Sequence, residues 1–124
     1  MLAAVNRPEE RVVAEKVVTM FLDGEIGERK LVEVNEMLFR LAHRGTRNVV
    51  IDLTEVSHFD YRGVKPLLAR AEVFRKAGGD IKLSGLSAYL AAILRSTGAH
   101  DAFDVFAVAS DARAAFSRAV CVAG

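Results

Sequence analysis

Residues 48–63 read NVVIDLTEVSHFDYRG, a stretch in which an apolar run gives way to polar and aromatic residues. The run Asn48–Leu53 is continuous and rich in β-branched side chains, which is typical of a strand buried on both faces. The residues from Asp52 to Gly63 then predict a long loop at the carboxyl end of that strand. Parallel sheets meet ligands and partners at this end, so the loop is the first candidate for a functional site.

Strands and helices alternate on both sides of this stretch. Further strands are expected at Val17–Leu22, Ile81–Leu83 and Val105–Val108, and somewhere within Leu2 to Val13. Apolar residues at helical spacing predict helices at Glu28–His43, about Arg62 to Ala77, about Ser87–Ser96 and about Ser110 to Val120, with Ser87 and Ser110 as caps of the last two. This order predicts an α/β fold, with a mixed central sheet of about four to five strands that contains parallel pairs and with about four packed helices.

Length and composition bound the class of protein. The chain has 124 residues, the size of one domain, so we expect a single domain over residues 1–124. Its 17 basic and 16 acidic side chains give a net charge of +1, which argues against general binding to nucleic acid. The single Cys121 cannot form an internal disulfide, and no apolar run approaches the roughly 20 residues that cross a bilayer. Because Met1 to Glu10 do not read as a signal peptide, we expect a cytoplasmic protein without membrane insertion.

The sequence offers little to catalysis or to metal binding. The histidines His43, His58 and His100 are not spaced as ligands of one metal ion, and no nucleophile follows His58 in a strand–turn–helix elbow. Gly24 and Gly27 lack the rest of a phosphate-binding fingerprint. We therefore expect no catalytic residues, no metal and no cofactor.

Asp52 leaves one alternative of a different class open. It ends a predicted buried strand, as the phosphate-accepting aspartate of a receiver domain does. That chemistry needs a pair of adjacent acids for Mg²⁺ and a lysine after the last strand. Here Gly24 follows Asp23, and residues 109–111 read Ala-Ser-Asp. A carboxylate that bonds turn amides is therefore the favoured interpretation of Asp52.

Four motifs follow one another over about Val17 to Phe116. They are a strand ending in LDGEI at 22–26, a strand ending in IDL at 51–53, the DYRG of 60–63 before a helix that closes on Gly78-Gly79, and the STG of 96–98 before the FDVF of 103–106. In this order and spacing they resemble the STAS domain, the family of anti-sigma-factor antagonists and of sulfate-transporter cytoplasmic domains. The resemblance implies a STAS-like fold and a non-enzymatic protein-interaction module.

The resemblance also implies where a partner docks and how docking is switched. Family members of the partner-switching type carry Ser or Thr directly before the glycine of Asp-x-x-Gly, and an anti-sigma factor with kinase activity phosphorylates that hydroxyl. Arg62 occupies this phosphoacceptor-equivalent position here and is not phosphorylatable by such a kinase. The expected partner-binding residues are Asp60, Tyr61, Arg62, Gly63, Lys65, Pro66, Ala69, Val73 and Lys76. Residues 62–95 hold seven basic and two acidic side chains, which favours an acidic partner.

These interpretations predict a regulator of transcription. We expect it to bind an anti-sigma factor or a related STAS or kinase regulator, by partner switching or in a stressosome-like assembly, without Ser phosphorylation at the family's site. Two alternatives stay open: a STAS subunit of a lipid-transport complex, and a receiver-like phosphotransfer domain that uses Asp52. Self-association of the chain also stays open.

Overall fold

A computed structural model describes residues 16–123 of the chain and the side chains of residues 16–116. Four strands form one sheet in the order β1-β2-β3-β4: β1 is Val17–Ile26, β2 is Asn48–Phe59, β3 is Asp80–Ser84 and β4 is Val105–Phe106. All three strand pairs are parallel, so the mixed character expected of the sheet is not seen among the described strands. The strand predicted within Leu2 to Val13 lies outside the described residues.

Four helices connect and cover these strands. They are α1 at Glu28–His43, α2 at Val64–Lys76, α3 at Ala88–Ser96 and α4 at Ala109–Ala123, and a 3-10 turn at Tyr61–Gly63 precedes α2. The α/β fold is thus confirmed. None of the described helices combines the length and the apolar content that crossing a membrane requires.

The alternation of side chains along β2 divides the core between the two faces of the sheet. Val49, Ile51 and Leu53 belong to the large cluster that α1, α2 and α3 cover. Val50 faces the other way and packs with Ala112 and Phe116 of α4. A strand with both faces covered needs apolar side chains on both sides, which explains the consecutive apolar residues Val49, Val50 and Ile51.

Both long strands extend beyond their predicted ends. β1 continues to Ile26 and β2 to Phe59, because their outer halves pair with each other, from Asp23↔Glu55 to Ile26↔Phe59. The pairing has two register shifts, each with an extra residue on β2. These bulges break the regular alternation, so the buried Val56 and Phe59 stand three positions apart and do not read as a strand in the sequence. The loop predicted from Asp52 is therefore mostly strand.

Of the two predicted helix caps, Ser87 and Ser110, the structure confirms the first. The Ser87 hydroxyl accepts a hydrogen bond from the Leu90 amide at 3.1 Å, as expected for an N-cap. The cap predicted at Ser110 is wrong, because α4 begins at Ala109 and Ser110 lies inside its first turn. The amides of Asp111 and Ala112 donate to the carbonyl of Val108, which places the start of the helix one residue earlier than the sequence suggested.

Candidate functional site

The candidate site lies at the carboxyl edge of the sheet, where β2 ends and the chain turns into α2. The Asp60 amide donates to the Ile26 carbonyl at 3.0 Å, which ties this turn to the end of β1. Gly63 closes the turn and is buried against α1. A Cβ at Gly63 would lie 2.5 Å from Leu31 Cδ1, so glycine lets the turn approach α1. Gly63 therefore positions the turn and offers no side chain to a partner.

Asp60 and Arg62 form a closed pair within the turn. Asp60 Oδ1 accepts from the Arg62 amide at 2.9 Å and from Arg62 Nε at 3.1 Å, and Oδ2 accepts from Nη2 at 2.7 Å. These bonds lower the pKa of Asp60 from 3.8 to about 2, and they raise the pKa of Arg62. The pair caps the 3-10 turn and holds the guanidinium in place. The positive charge that the sequence placed at the start of the helix is thus compensated within the turn.

Titration of Asp60 tests this pair. We expect the Asp60 carboxyl to titrate near pH 2 in the native chain and to move toward 3.8 in Arg62→Gln, because the guanidinium bonds are lost while the backbone bond remains. Since the folded-state pKa is the depressed one, the pair stabilises the fold above about pH 4 and this contribution disappears as the pH falls toward 2. Carbon-detected NMR of the side-chain carboxyl measures both values. Lys65→Gln is the matched control, and a native Asp60 that titrates near 3.8 contradicts the pairing.

The outer face of α2 presents the remaining predicted residues to solvent. Lys65, Pro66, Ala69, Val73 and Lys76 are all exposed and fall within an arc of about 100° on the helix. Tyr61, on the preceding turn, has 64% of its surface exposed and Val73 has 47%. The opposite face buries Val64, Leu67, Ala71 and Phe74, as the spacing predicted, and Leu68 is half-buried.

The excess of basic residues between Arg62 and Arg95 is partly cancelled inside the fold. Arg75 Nε donates to Asp80 at 2.7 Å, and Nη1 donates to Glu72 at 3.1 Å. Lys82 Nζ lies 2.7 Å from Asp104 Oδ2. Neither Lys65 nor Lys76 forms an ion pair with a residue that the structure describes. These two lysines, and not Arg62, therefore supply the uncompensated positive charge of the α2 face.

Sequence reasoning missed a contact beside the turn. Tyr89, on the first turn of α3, meets His58 near the end of β2, with its hydroxyl 2.5 Å from His58 Nδ1 and the rings stacked at 5.7 Å. His58 falls within the loop predicted from Asp52 to Gly63, but the structure places it in β2, where it joins that strand to α3. The two residues stand 31 positions apart, and no local pattern links them.

Asp52 is enclosed by the sheet. The residue is 6% exposed, and its Oδ2 accepts a hydrogen bond from the Ser84 hydroxyl at 2.8 Å while Oδ1 accepts one from the Thr54 amide at 3.1 Å. Asp52 therefore lies within β2 and not at its end, and the receiver-like alternative lacks an accessible carboxylate. Among the described residues, no group of three His, Cys, Asp or Glu side chains comes together as a metal site would require.

The chain is similar to one protein family and to several solved structures. The family model described as the STAS domain matches residues 10–112. The anti-sigma factor antagonist SpoIIAA in its unphosphorylated form is a similar solved structure, with 18% identity, 81% of this chain and 87% of that chain covered, and a TM-score of 0.71. The SulP transporter STAS domain from Vibrio cholerae has 17% identity, coverage of 88% and 86%, and a TM-score of 0.68. A sulfate transporter family protein from Wolinella succinogenes has 21% identity, coverage of 85% and 87%, and a TM-score of 0.65. A search of curated proteins finds no match.

Proposed function

Because this chain belongs to the STAS domain family, we propose that it is a non-enzymatic interaction module that docks a protein partner on the turn at Asp60–Gly63 and the outer face of α2. We call the exposed residues of this region the docking surface: Tyr61, Arg62, Lys65, Pro66, Ala69, Val73 and Lys76. The proposed partner is an anti-sigma factor or a related STAS or kinase regulator, and the proposed outcome is regulation of transcription.

The composition of the docking surface is the observation that carries this proposal. It holds two exposed apolar side chains, Tyr61 on the 3-10 turn and Val73 on α2, and the small Ala69 lies between them along the chain. Lys65 and Lys76 lie on the same face of α2 and form no ion pair with any of the described residues. Exposed apolar and aromatic side chains beside charged ones are typical of a protein interface, and aromatic side chains supply much of its binding energy. The two lysines favour an acidic partner surface and would speed association with it.

The position of Arg62 shapes how docking is regulated. SpoIIAA, whose fold is similar, has been solved in an unphosphorylated and in a phosphorylated form. In this chain the residue before Gly63 is an arginine that Asp60 holds by two side-chain bonds. A guanidinium offers no hydroxyl to a Ser/Thr kinase. We therefore propose that phosphorylation at this position does not release the partner, and that docking is controlled by the partner's own concentration or state.

Affinity capture with matched baits tests the proposal. The native chain, immobilised in extract of its own cells, is expected to retain an anti-sigma factor or a related regulator, identified by mass spectrometry. Lys65→Glu/Lys76→Glu is expected to weaken the purified complex by about tenfold or more in titration calorimetry, because two attractive charges become repulsive. Arg44→Glu/Arg95→Glu changes the net charge equally at exposed sites away from the docking surface and should bind as the native chain does.

Two results count against the proposal. Equal affinity of the native chain and Lys65→Glu/Lys76→Glu, with both folded, would remove the docking surface from the interaction. Retention of transporter subunits in place of a regulator would instead support the alternative of a subunit in a lipid-transport complex. Only these measurements separate the two roles, since STAS domains of both antagonists and transporters share this fold.

A further inference from the structure

A second exposed stripe lies on α1, and neither the core nor the docking surface accounts for it. Val32 and Phe39 are 54% and 57% exposed although both are large and apolar. They are seven positions apart and therefore lie on one side of the helix. The α1 stripe consists of these two residues and their polar neighbours on the same side: Glu28, Val32, Asn35, Glu36, Phe39 and His43.

This stripe borders an open groove between α1 and α2. The groove has a volume of about 500 Å³ and is lined by Val32, Asn35, Glu36, Phe39, Arg40 and Arg70. The Arg70 guanidinium lies over the Phe39 ring, with Cζ 5.7 Å from its centroid. Arg70 Nε is buried and has no hydrogen-bond partner among the described residues. A buried donor usually has an acceptor. Within the part of the chain that the structure describes, the groove therefore lacks both an acceptor for Arg70 Nε and a neighbour that would bury Val32 and Phe39.

We propose that a second copy of this chain covers the α1 stripe, with α1 packed antiparallel against α1 of its partner about a two-fold axis. The side chains that such an axis brings together carry the proposal. The steps from Glu28 to His43 are 4, 3, 1, 3 and 4 residues, and a helix face reads alike from both ends, so the stripe can face its own copy. An axis between Asn35 and Glu36 therefore sets residue 32 against 39, residue 35 against 36, and residue 28 against 43.

Each of these pairings is complementary. Val32 meets Phe39, an apolar pair; Asn35 meets Glu36, an amide with a carboxylate; and Glu28 meets His43, a carboxylate with an imidazole. A two-fold interface must be complementary to itself, and these three pairs are. The groove also holds both signs of charge, with Glu36 beside Arg40 and Arg70. Glu36 of the second copy would bring a carboxylate to the groove in which Arg70 Nε lacks an acceptor.

The self-association goes beyond the proposed docking and leaves the two lysines of the docking surface free. Helical geometry of about 100° per residue places Lys65 and Lys76 about 140° and 120° around α2 from Arg70. Pro66 and Val73 lie nearer, about 40° and 60° from Arg70, so it is the two lysines, and not the whole docking surface, that stay clear of the groove that the second copy would fill.

Analytical ultracentrifugation of the full chain tests the dimer. The native chain is expected to sediment as a dimer at the upper end of a range of about 5 to 500 μM, and Phe39→Lys and Val32→Glu are each expected to raise its dissociation constant about tenfold or more. Both positions are exposed, so circular dichroism should show an unchanged fold. Met37→Glu, on the other side of α1, is the matched control and should dimerise like the native chain.

Mixing the two variants tests the register. In a heterodimer of Val32→Glu with Phe39→Lys, the new glutamate faces the new lysine, and the other contact is the native pair of Phe39 with Val32. The mixture should therefore dimerise where neither variant does alone. A native chain that stays monomeric up to 500 μM overturns the proposal, and so does a dimer that survives both variants or a mixture that fails to assemble. None of these results bears on docking through Lys65 and Lys76, which is measured separately.

Discussion

Gly79→Ala is expected to destabilise the chain by about 3 kcal/mol, the largest loss that we expect from a single added methyl group. A Cβ at Gly79 would lie 1.7 Å from the carbonyl oxygen of Arg47 and 2.4 Å from its carbonyl carbon. The Arg47 carbonyl accepts a hydrogen bond from the Asp80 amide at 3.0 Å. Arg47 directly precedes Asn48, which pairs with Asp80 where β2 and β3 begin. Neither backbone segment can move away without breaking the start of the parallel pairing.

Chemical denaturation of the native chain and two glycine variants measures this loss. Gly27→Ala is the matched control, because a Cβ at Gly27 meets nothing within 4 Å and the backbone is extended there. It should cost about 1 kcal/mol or less, as expected for losing glycine at a helix N-cap. Equal denaturation midpoints for Gly79→Ala and Gly27→Ala would show that β2 and β3 tolerate a shift at Arg47.

The Gly78-Gly79 pair shows what the sequence could and could not reveal. Gly78 was predicted to end α2, and its φ of +95° at the helix end confirms the reason. The need for Gly79 arises from Arg47, 32 positions earlier, and no local pattern carries that contact. The same holds for the outer halves of β1 and β2, whose pairing through two bulges hid a strand in what read as a loop. The spacing of apolar residues predicted the strands and helices in which burial follows a regular pattern. It missed the outer halves of β1 and β2, where the bulges make burial irregular.

Some features of the candidate site were also predictable from the sequence, and others were not. The buried and exposed faces of α2 follow from the spacing of its side chains alone, and the structure places both as predicted. The charge of the surface does not follow from counting, because the partners of Arg75 and Lys82 are set by the fold. Arg62 is the clearest case: the sequence marked it as an available cation, but its neighbour Asp60 binds it. The α1 stripe is not among the sequence predictions, because only the exposure of Val32 and Phe39 in the fold shows that it lies uncovered.

The second prediction concerns Asp52, for which sequence reasoning left two roles open. We expect Asp52→Ala to destabilise the chain by about 2 kcal/mol, because the Ser84 hydroxyl and the Thr54 amide would lose their acceptors inside the sheet. Asp52→Asn should cost about 1 kcal/mol or less, since the amide oxygen can still accept from Thr54 and the amide nitrogen can donate to the Ser84 oxygen. Urea unfolding of the native chain and both variants measures the difference.

A double-mutant cycle with Ser84→Ala separates the structural role of Asp52 from a phosphoacceptor role. Asp52 and Ser84 face each other in the β2–β3 register and share a 2.8 Å hydrogen bond, so the double variant should be more stable than the sum of the single losses by about 1 kcal/mol. Acetyl phosphate with Mg²⁺ should leave Asp52 unmodified in mass spectrometry, because the residue is buried and both carboxylate oxygens accept hydrogen bonds. Additive losses would deny the coupling, and an acyl phosphate on Asp52 would require β2 and β3 to open at this pair. Asp52→Asn distinguishes the two roles. The asparagine amide can replace most of the hydrogen bonding of a structural Asp52, whereas it cannot accept a phosphoryl group.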